Sequence, residues 1–188
     1  MANVNHSTLT DPYLHEPKGV ASANANEVYV ANGSGSGSWE PQHHLIGAYL
    51  PFDATTPAYS HSATTSLSVI NPTLTTSVTD GFTATNTPNA RVIYSNGVDI
   101  NAQIIITMSN KQASGSSKDI EWLIYKNGVA VPGAHTIRSI SSGDWGSIGI
   151  TGYVSLSTND YIEIYSKASA STTVQYASIF WSIMGVPA

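Results

Sequence analysis

The stretch Ile100-Asn-Ala-Gln-Ile-Ile-Ile-Thr-Met108 decides the fold of this chain, because apolar residues occupy every second position. A β-strand places successive side chains on opposite faces, so a period of two predicts a strand with one dry face and one largely wet face. The wet face carries Asn101, Gln103, Ile105 and Thr107. Residues 148–156 repeat the pattern, with a dry face formed by Ile148, Ile150, Val154 and Leu156.

Turn-forming residues separate such strands from Leu45 onward, at the short spacing of a β-sandwich or barrel. Asn127-Gly128 lies between apolar flanks, which favours a two-residue type I′ hairpin. Asn96-Gly97 predicts a second hairpin of the same type. No long window has the apolar period of a helix. We therefore expect an all-β, antiparallel sandwich over residues 46–188, with almost no helix.

Residues 1–45 have a different composition. They hold four of the six histidines, a Gly/Ser run at 33–38 and one short strand candidate, Val28-Tyr29-Val30. Because Gly/Ser runs behave as flexible coils, we predict an extended N-terminal arm with a Gly/Ser linker that becomes ordered on a partner. A disordered tail is the alternative. The residues expected to anchor the arm are Tyr13, Leu14, His15, Glu16, Pro17, Lys18, Tyr29 and Trp39.

The last strand is apolar on both sides when a strict period of two is applied. Val174, Tyr176, Phe180 and Met184 then share one face, and Ala177, Ile179, Trp181 and Ile183 share the other. A sandwich strand in a monomer needs only one dry face, so a neighbouring subunit is the expected cover, and loops or the arm are the alternative. Two tyrosines of the preceding strand form an aromatic face suited to an interface. The predicted interface residues are Tyr161, Tyr165, Tyr176 and Phe180.

The composition argues against several classes of partner. The net charge is −5, and the seven Lys and Arg residues form no patch, so we expect no nucleic-acid partner. The chain has no Cys, which excludes disulfides and thiolate metal sites. No apolar stretch is long enough to span a bilayer, and the N-terminus has no signal-peptide pattern. We therefore expect no membrane partner and assembly in a cytoplasm.

Residues with catalytic or metal-binding chemistry are present but poorly arranged. His43, His44 and His61 suggest a metal site, yet adjacent histidines on extended chain point to opposite sides, and we predict no metal and no cofactor. The chain has no Gly-x-Ser-x-Gly elbow and no phosphate loop. Trp145 is either a platform for a sugar ring or a plug at the end of the sandwich. Five carboxylates lie near turns and strand edges, where no catalytic pair is expected: Asp119, Glu121, Asp144, Asp160 and Glu163. We therefore expect a protein that is not an enzyme.

The C-terminal half resembles the C1q/TNF-like jelly roll. The resemblance rests on Trp122-Leu-Ile-Tyr-Lys-Asn-Gly128, on residues 148–164 and on the closing aromatic strand, and it covers roughly residues 90–188. The family has Gly-Asp where this chain has Asn159-Asp160. Such domains form trimers with their closing strands around a threefold axis, so the resemblance implies that residues 46–188 trimerise.

The arm resembles another group of proteins. Leu9-Thr-Asp-Pro-Tyr-Leu-His-Glu-Pro-Lys-Gly19, followed by Val28-Tyr-Val-Ala-Asn-Gly33 and Trp39, is similar to a segment at the start of tailed-phage virion proteins, including head decoration proteins and fibres. This resemblance implies a structural protein located in the virion. The leading expectation is a trimeric capsid decoration protein whose arm binds the major capsid protein or another virion protein. The alternative is a receptor-binding tail fibre or head fibre tip that recognises a host surface glycan.

Overall fold

The computed structural model describes residues 23, 27–31, 34, 37–41, 43–53 and 57–188. The chain divides into two units, Met1–Gln42 and His43–Ala188. The second unit begins three residues before the boundary predicted at residue 46. The reason is that His44 and Leu45 already pair with Gly185 and Met184 of the last strand.

The described part of the first unit is a β-hairpin. Strand β1 (Glu27–Ala31) pairs antiparallel with β2 (Gly37–Pro41). The strand expected at Val28–Val30 is present, but the end of the Gly/Ser run forms the start of β2 instead of a free linker. A Cβ on Gly37 would come within 2.1 Å of the Val30 carbonyl oxygen, so this pairing requires glycine. The expected anchors Tyr13, Leu14, His15, Glu16, Pro17 and Lys18 lie outside the described residues.

The described residues of the second unit form twelve strands, and these confirm the all-β prediction. Their bounds are β3 (His44–Leu50), β4 (Tyr59–Ala63), β5 (Ser68–Val69), β6 (Thr75–Asp80), β7 (Phe82–Thr85), β8 (Arg91–Tyr94), β9 (Ile100–Gln112), β10 (Lys118–Lys126), β11 (Val129–Ile140), β12 (Gly146–Leu156), β13 (Tyr161–Ala168) and β14 (Thr172–Pro187).

These strands form two antiparallel sheets of six. The front sheet has the order β12-β9-β14-β3-β6, with β4 also paired to β14. The back sheet has the order β11-β10-β13-β8-β7, with β5 also paired to β13. The chain passes from one sheet to the other after β4, β5, β6, β8, β9, β11, β12 and β13. This repeated crossing is the jelly-roll arrangement of an antiparallel sandwich.

The core lies between the two sheets and confirms the alternation seen in the sequence. On β9 all five apolar residues from Ile100 to Met108 on the dry face are buried. On β12, Ile150 and Leu156 are buried, and Ile148 and Val154 pack against the core. Ile162 and Ile164 of β13 point inward from the other sheet.

The two Asn-Gly turns have different outcomes. Asn127 (φ 50°) and Gly128 (φ 76°) join β10 to β11 with positive φ at both positions, as the type I′ prediction requires. The second hairpin prediction is wrong, because Asn96-Gly97 connects β8 of the back sheet to β9 of the front sheet. Neither Asn96 nor Gly97 has a positive φ. The same dipeptide is thus a hairpin turn at one place and a sheet-to-sheet crossing at the other.

A β-bulge changes the faces of the last strand. The register of β14 against β9 shifts between Tyr176 and Ser178, so Ala177 is an extra residue. Val174 and Tyr176 therefore point into the core together with Ile179, Trp181 and Ile183. This corrects the expectation that Tyr176 shares a face with Phe180 and Met184. Tyr176 is a fully buried core residue of the protomer and is not available to a subunit interface.

Candidate functional site

The outer face of the front sheet is the candidate site, because it exposes large apolar side chains in adjoining rows. Phe180 of β14 lies between Tyr49 of β3 and Thr107 of β9. Met184 lies between Leu45 and Gln103 in the same way. The most exposed of these apolar residues are Val78, Ile105, Tyr153, Phe180, Met184 and Val186.

This face is also free of charge in its central part. Three cross-strand rows run over β3, β14, β9 and β12, a fourth runs over β14, β9 and β12, and none of the residues in them is Asp, Glu, Lys or Arg. The rows are Tyr49-Phe180-Thr107-Gly149, Gly47-Ser182-Ile105-Thr151, Leu45-Met184-Gln103-Tyr153 and Val186-Asn101-Ser155. The centre of a protein interface is depleted in charge and enriched in aromatic residues and Met. We call these four rows the apolar face.

Tyr153 stands at the edge of the apolar face and is 72% exposed. Its hydroxyl accepts a 2.8 Å hydrogen bond from Gln103 Nε2, which holds the ring in place. The side chain lies between two depressions. One has a volume of about 430 Å³ and includes Met184 and Val186 in its lining, and the other has about 220 Å³ and includes Val129 and Pro132. Apolar surface therefore continues from the front sheet around its β12 edge to the β10–β11 hairpin.

The outer face of the back sheet has a different character, because it carries ion pairs. On this face Arg91 contacts Glu163 at 3.1 Å, and Lys167 contacts Glu121 at 2.8 Å. Lys126 contacts Asp160, in the connection from β12 to β13, at 2.7 Å and also donates to the Ser155 carbonyl oxygen of the front sheet. Burial alone would raise the pKa of Asp160, but hydrogen bonds from Lys126, Ser157 and Asn127 outweigh it and hold that pKa below its usual value. Each of these three carboxylates is paired with a cation, and they form no carboxylate pair across a cleft.

The four predicted interface residues do not share one surface. Phe180 lies on the apolar face, and Tyr176 lies in the core. Tyr161 and Tyr165 project from the back sheet, where Arg91 lies 4.3 Å from the Tyr161 ring and Tyr125 lies 4.2 Å from the Tyr165 ring. Tyr161 and Tyr165 are consequently separated from the face that carries Phe180.

Sequence reasoning did not select Ile105, Tyr153, Met184 and Val186 as site residues. A signal was available for three of them. Ile105 and Tyr153 are apolar residues on the wet faces of alternating strands, and the period of two places Met184 on the same face as Phe180. Val186 joins the apolar face through the pairing of β14 with β9. That pairing is a long-range property that no local pattern reveals.

The other candidate residues predicted from the sequence are an exposed tryptophan, an aromatic pair and three histidines. Trp145 is 38% exposed, and Lys111 Nζ lies 4.7 Å from the centre of its ring, so Trp145 does not plug the core. Tyr29 and Trp39 pair across the first-unit hairpin with their rings 5.5 Å apart, edge to face. His43 is exposed, whereas His44 and His61 are buried.

The described residues offer neither a metal centre nor a membrane-spanning helix. No group of three or more His, Asp or Glu side chains there is arranged to hold a metal ion. The same residues include no helix with the length and apolar character needed to cross a membrane.

Comparisons with known proteins give similarity at the level of structure alone. No family model matches the chain, and no curated protein matches it. Murine APRIL has a TM-score of 0.49 and 11% identity, covering 75% of this chain and 98% of its own. The PRD1 vertex protein P5 has a TM-score of 0.44 and 13% identity, covering 77% and 96%. Eiger TNF from S. frugiperda has a TM-score of 0.42 and 10% identity, covering 77% and 94%.

Proposed function

We propose that this chain is a structural protein of a tailed-phage virion, a homotrimer of jelly-roll domains that decorates and stabilises the capsid. The observation that carries the proposal is the charge-free apolar face of the front sheet. Monomeric soluble proteins rarely expose a contiguous apolar patch larger than a few hundred Å². A second and a third copy of the chain are the partners that cover this patch.

A closed ring of three subunits needs two different patches on each protomer, because its contacts are head-to-tail. The chain offers two that adjoin at Tyr153. One is the apolar face with Phe180 and Met184, and the other is the β12 edge with Val129 and Pro132. In the proposed trimer, the edge of one protomer packs on the apolar face of the next. The ion-paired outer face of the back sheet remains outside the contact.

The first unit supplies the proposed attachment to the capsid. Its sequence resembles the start of tailed-phage virion proteins, and its hairpin carries Tyr29 and Trp39 in edge-to-face contact. A trimer presents three such units at once, so a weak contact with the major capsid protein gains strength through effective concentration. Binding to the assembled shell and not to its separate parts stabilises the shell by mass action.

Two measurements test the proposal. Light scattering on the purified protein is expected to give three times the mass of one chain, and a monomer at micromolar concentration would contradict the trimer. Particles lacking the protein are then mixed with the intact chain or with a variant that lacks residues 1–42. We expect the intact chain to bind and the shortened trimer to stay in solution. Binding by the shortened chain would remove the attachment role of the first unit.

The competing function is a receptor-binding tip for a host glycan, for which Trp145 is the relevant residue. Its ring is partly exposed, but Lys111 lies over it. A glycan-binding assay with the intact protein and with Trp145→Ala separates the two functions. Decoration predicts no glycan binding and predicts that particles without the protein still adsorb to cells. Loss of adsorption, together with glycan binding that Trp145→Ala abolishes, would favour the receptor function.

A further inference from the structure

The crossing from β8 to β9 contains an Asn-Gly sequence whose side chain is turned toward its own backbone. Gly97 N donates a 2.6 Å hydrogen bond to Asn96 Oδ1. Since a C=O bond is about 1.2 Å long, the Asn96 Cγ lies within about 3.8 Å of the Gly97 nitrogen. This is the pair of atoms that must join in a succinimide. Another hydrogen bond restrains the backbone of this crossing and does not involve the Asn96 carboxamide. Thr158 Oγ1 donates to the Asn96 backbone carbonyl oxygen at 2.5 Å.

The second described Asn-Gly sequence provides a contrast within the same molecule. Asn127 Nδ2 donates to Asp160 Oδ1 at 2.6 Å, and Asn127 Oδ1 accepts from Tyr161 N at 2.9 Å. Both ends of that carboxamide are therefore held by another strand or turn. The positive φ values of Asn127 and Gly128 also fix the backbone as a type I′ turn. Rotation of this side chain would break two hydrogen bonds and disturb the hairpin.

Asn96 has no comparable restraint on its amide nitrogen. Asn96 Nδ2 lies 3.4 Å from His44 Nε2 and 3.5 Å from His44 Nδ1, at the outer limit of a hydrogen bond. Gly97 is exposed, and a Cβ built on it would meet nothing within 4 Å. The carboxamide can therefore turn about its Cβ–Cγ bond, and the Gly97 backbone has space to follow.

We infer that Asn96 is a site of spontaneous deamidation in the folded protein, whereas Asn127 is protected. Hydroxide from solvent removes the Gly97 amide proton, and the Gly97 nitrogen forms a bond to Asn96 Cγ. The bond from Cγ to Nδ2 then breaks, and the amide nitrogen takes up a proton and leaves as ammonia. Water opens the resulting succinimide at either carbonyl, which gives aspartate or isoaspartate at residue 96.

The modification changes the surroundings of a buried histidine. His44 is fully buried at the start of β3, and its Nδ1 lies 4.0 Å from Asp80 Oδ1. Asparagine offers His44 an amide donor, whereas aspartate offers only acceptors and adds one negative charge. The isoaspartate product also lengthens the backbone of the crossing. Aged protein would therefore differ from freshly made protein around His44, at the start of β3.

The test follows deamidation in the intact, folded chain. Purified protein is incubated at mildly alkaline pH, digested, and mapped by mass spectrometry with fragmentation that separates aspartate from isoaspartate. Because Asn127 must give up two hydrogen bonds, we expect Asn96 to react about tenfold faster or more. Asn32-Gly33 lies outside the described residues and is monitored separately. Equal rates at Asn96 and Asn127 in the folded protein would overturn the inference.

Two controls identify the cause of the difference. In denaturant the two rates are expected to converge, and a preference for Asn96 that persisted there would assign it to local sequence and overturn the structural explanation. Gly97→Ala fits without a clash and is expected to keep the melting temperature while slowing reaction at Asn96 severalfold. An unchanged rate in Gly97→Ala would exclude attack by the nitrogen of residue 97.

Discussion

Trp122 and Tyr176 are joined by a hydrogen bond through the centre of the sandwich. Trp122 Nε1 of β10 in the back sheet donates to Tyr176 Oη of β14 in the front sheet at 2.9 Å, and both side chains are fully buried. Burial raises the pKa of Tyr176 well above its ordinary value, so the hydroxyl stays neutral. The bond connects the two sheets beside the bulge that turns Tyr176 inward.

Tyr176→Phe is expected to lower the free energy of unfolding by about 1–3 kcal/mol, because Trp122 Nε1 would remain buried without an acceptor. Denaturation in urea measures the change. Tyr59→Phe is the matched control, since the Tyr59 hydroxyl accepts from the exposed Asn71 backbone N–H, which water can satisfy instead. An equal loss in both variants would mean that the buried hydrogen bond is not the cause.

Gly152 allows the two sheets to approach at the β11–β12 edge. A Cβ on Gly152 would lie 2.8 Å from the Ala134 Cβ of the opposite sheet. Gly152→Ala is therefore expected to destabilise the fold by about 1–3 kcal/mol through overpacking. Gly149→Ala on the same strand is the control, because its Cβ would meet only the Ile106 carbonyl oxygen at 3.9 Å. Thermal melts of both variants test this prediction. A Gly152→Ala protein as stable as the parent would contradict the close approach of the two sheets.

Met184→Lys is expected to dissociate the proposed trimer. The new ammonium group would be buried without a partner in the centre of the apolar face, which is strongly unfavourable. Ile137→Lys makes the same chemical change at an exposed apolar residue of the back sheet, and we expect that variant to keep the mass of the parent. Light scattering on both variants tests which sheet forms the interface. Dissociation of Ile137→Lys alone would place the contact on the back sheet.

His61 makes stability depend on pH. Burial lowers its pKa below the ordinary value, and its ring contacts Ser68 Oγ at 3.0 Å. The unfolded chain takes up a proton near pH 6.5, whereas the folded chain does so only at lower pH. Stability is therefore complete above about pH 6.5 and falls as the pH drops toward the folded pKa, by at most about 1.4 kcal/mol per pH unit for one proton.

Urea denaturation at a series of pH values checks this dependence in variants. His61→Gln is expected to flatten the slope below pH 6.5. His135→Gln makes the same change at an exposed histidine and is the matched control. Parallel curves for the parent and His61→Gln would show that His61 titrates alike in both states.

Some features of the site were within reach of the sequence. Ile105 is the apolar exception on the wet face of β9, and Phe180 was selected as an interface residue. The sequence did not reveal that the predicted interface residues are divided between the two sheets. Tyr161 and Phe180 lie 19 positions apart in adjoining strands of the chain, yet the crossing between β13 and β14 sends them to different sheets. The sheet to which a strand belongs depends on pairing with strands that are distant in the sequence, and no local sequence pattern reveals that pairing.

The sequence by itself determined the alternating strands β9 and β12, their dry faces and the Asn127-Gly128 hairpin, because these follow from the period of two and from the φ preferences of single residues. The tertiary structure alone decided the role of Tyr176. One extra residue at Ala177 reverses every side chain before it, and only the hydrogen bonds to β9 show where that residue lies. The tertiary structure also decided that Asn96-Gly97 crosses between sheets, since a turn sequence specifies a local bend and not the strand that pairs next.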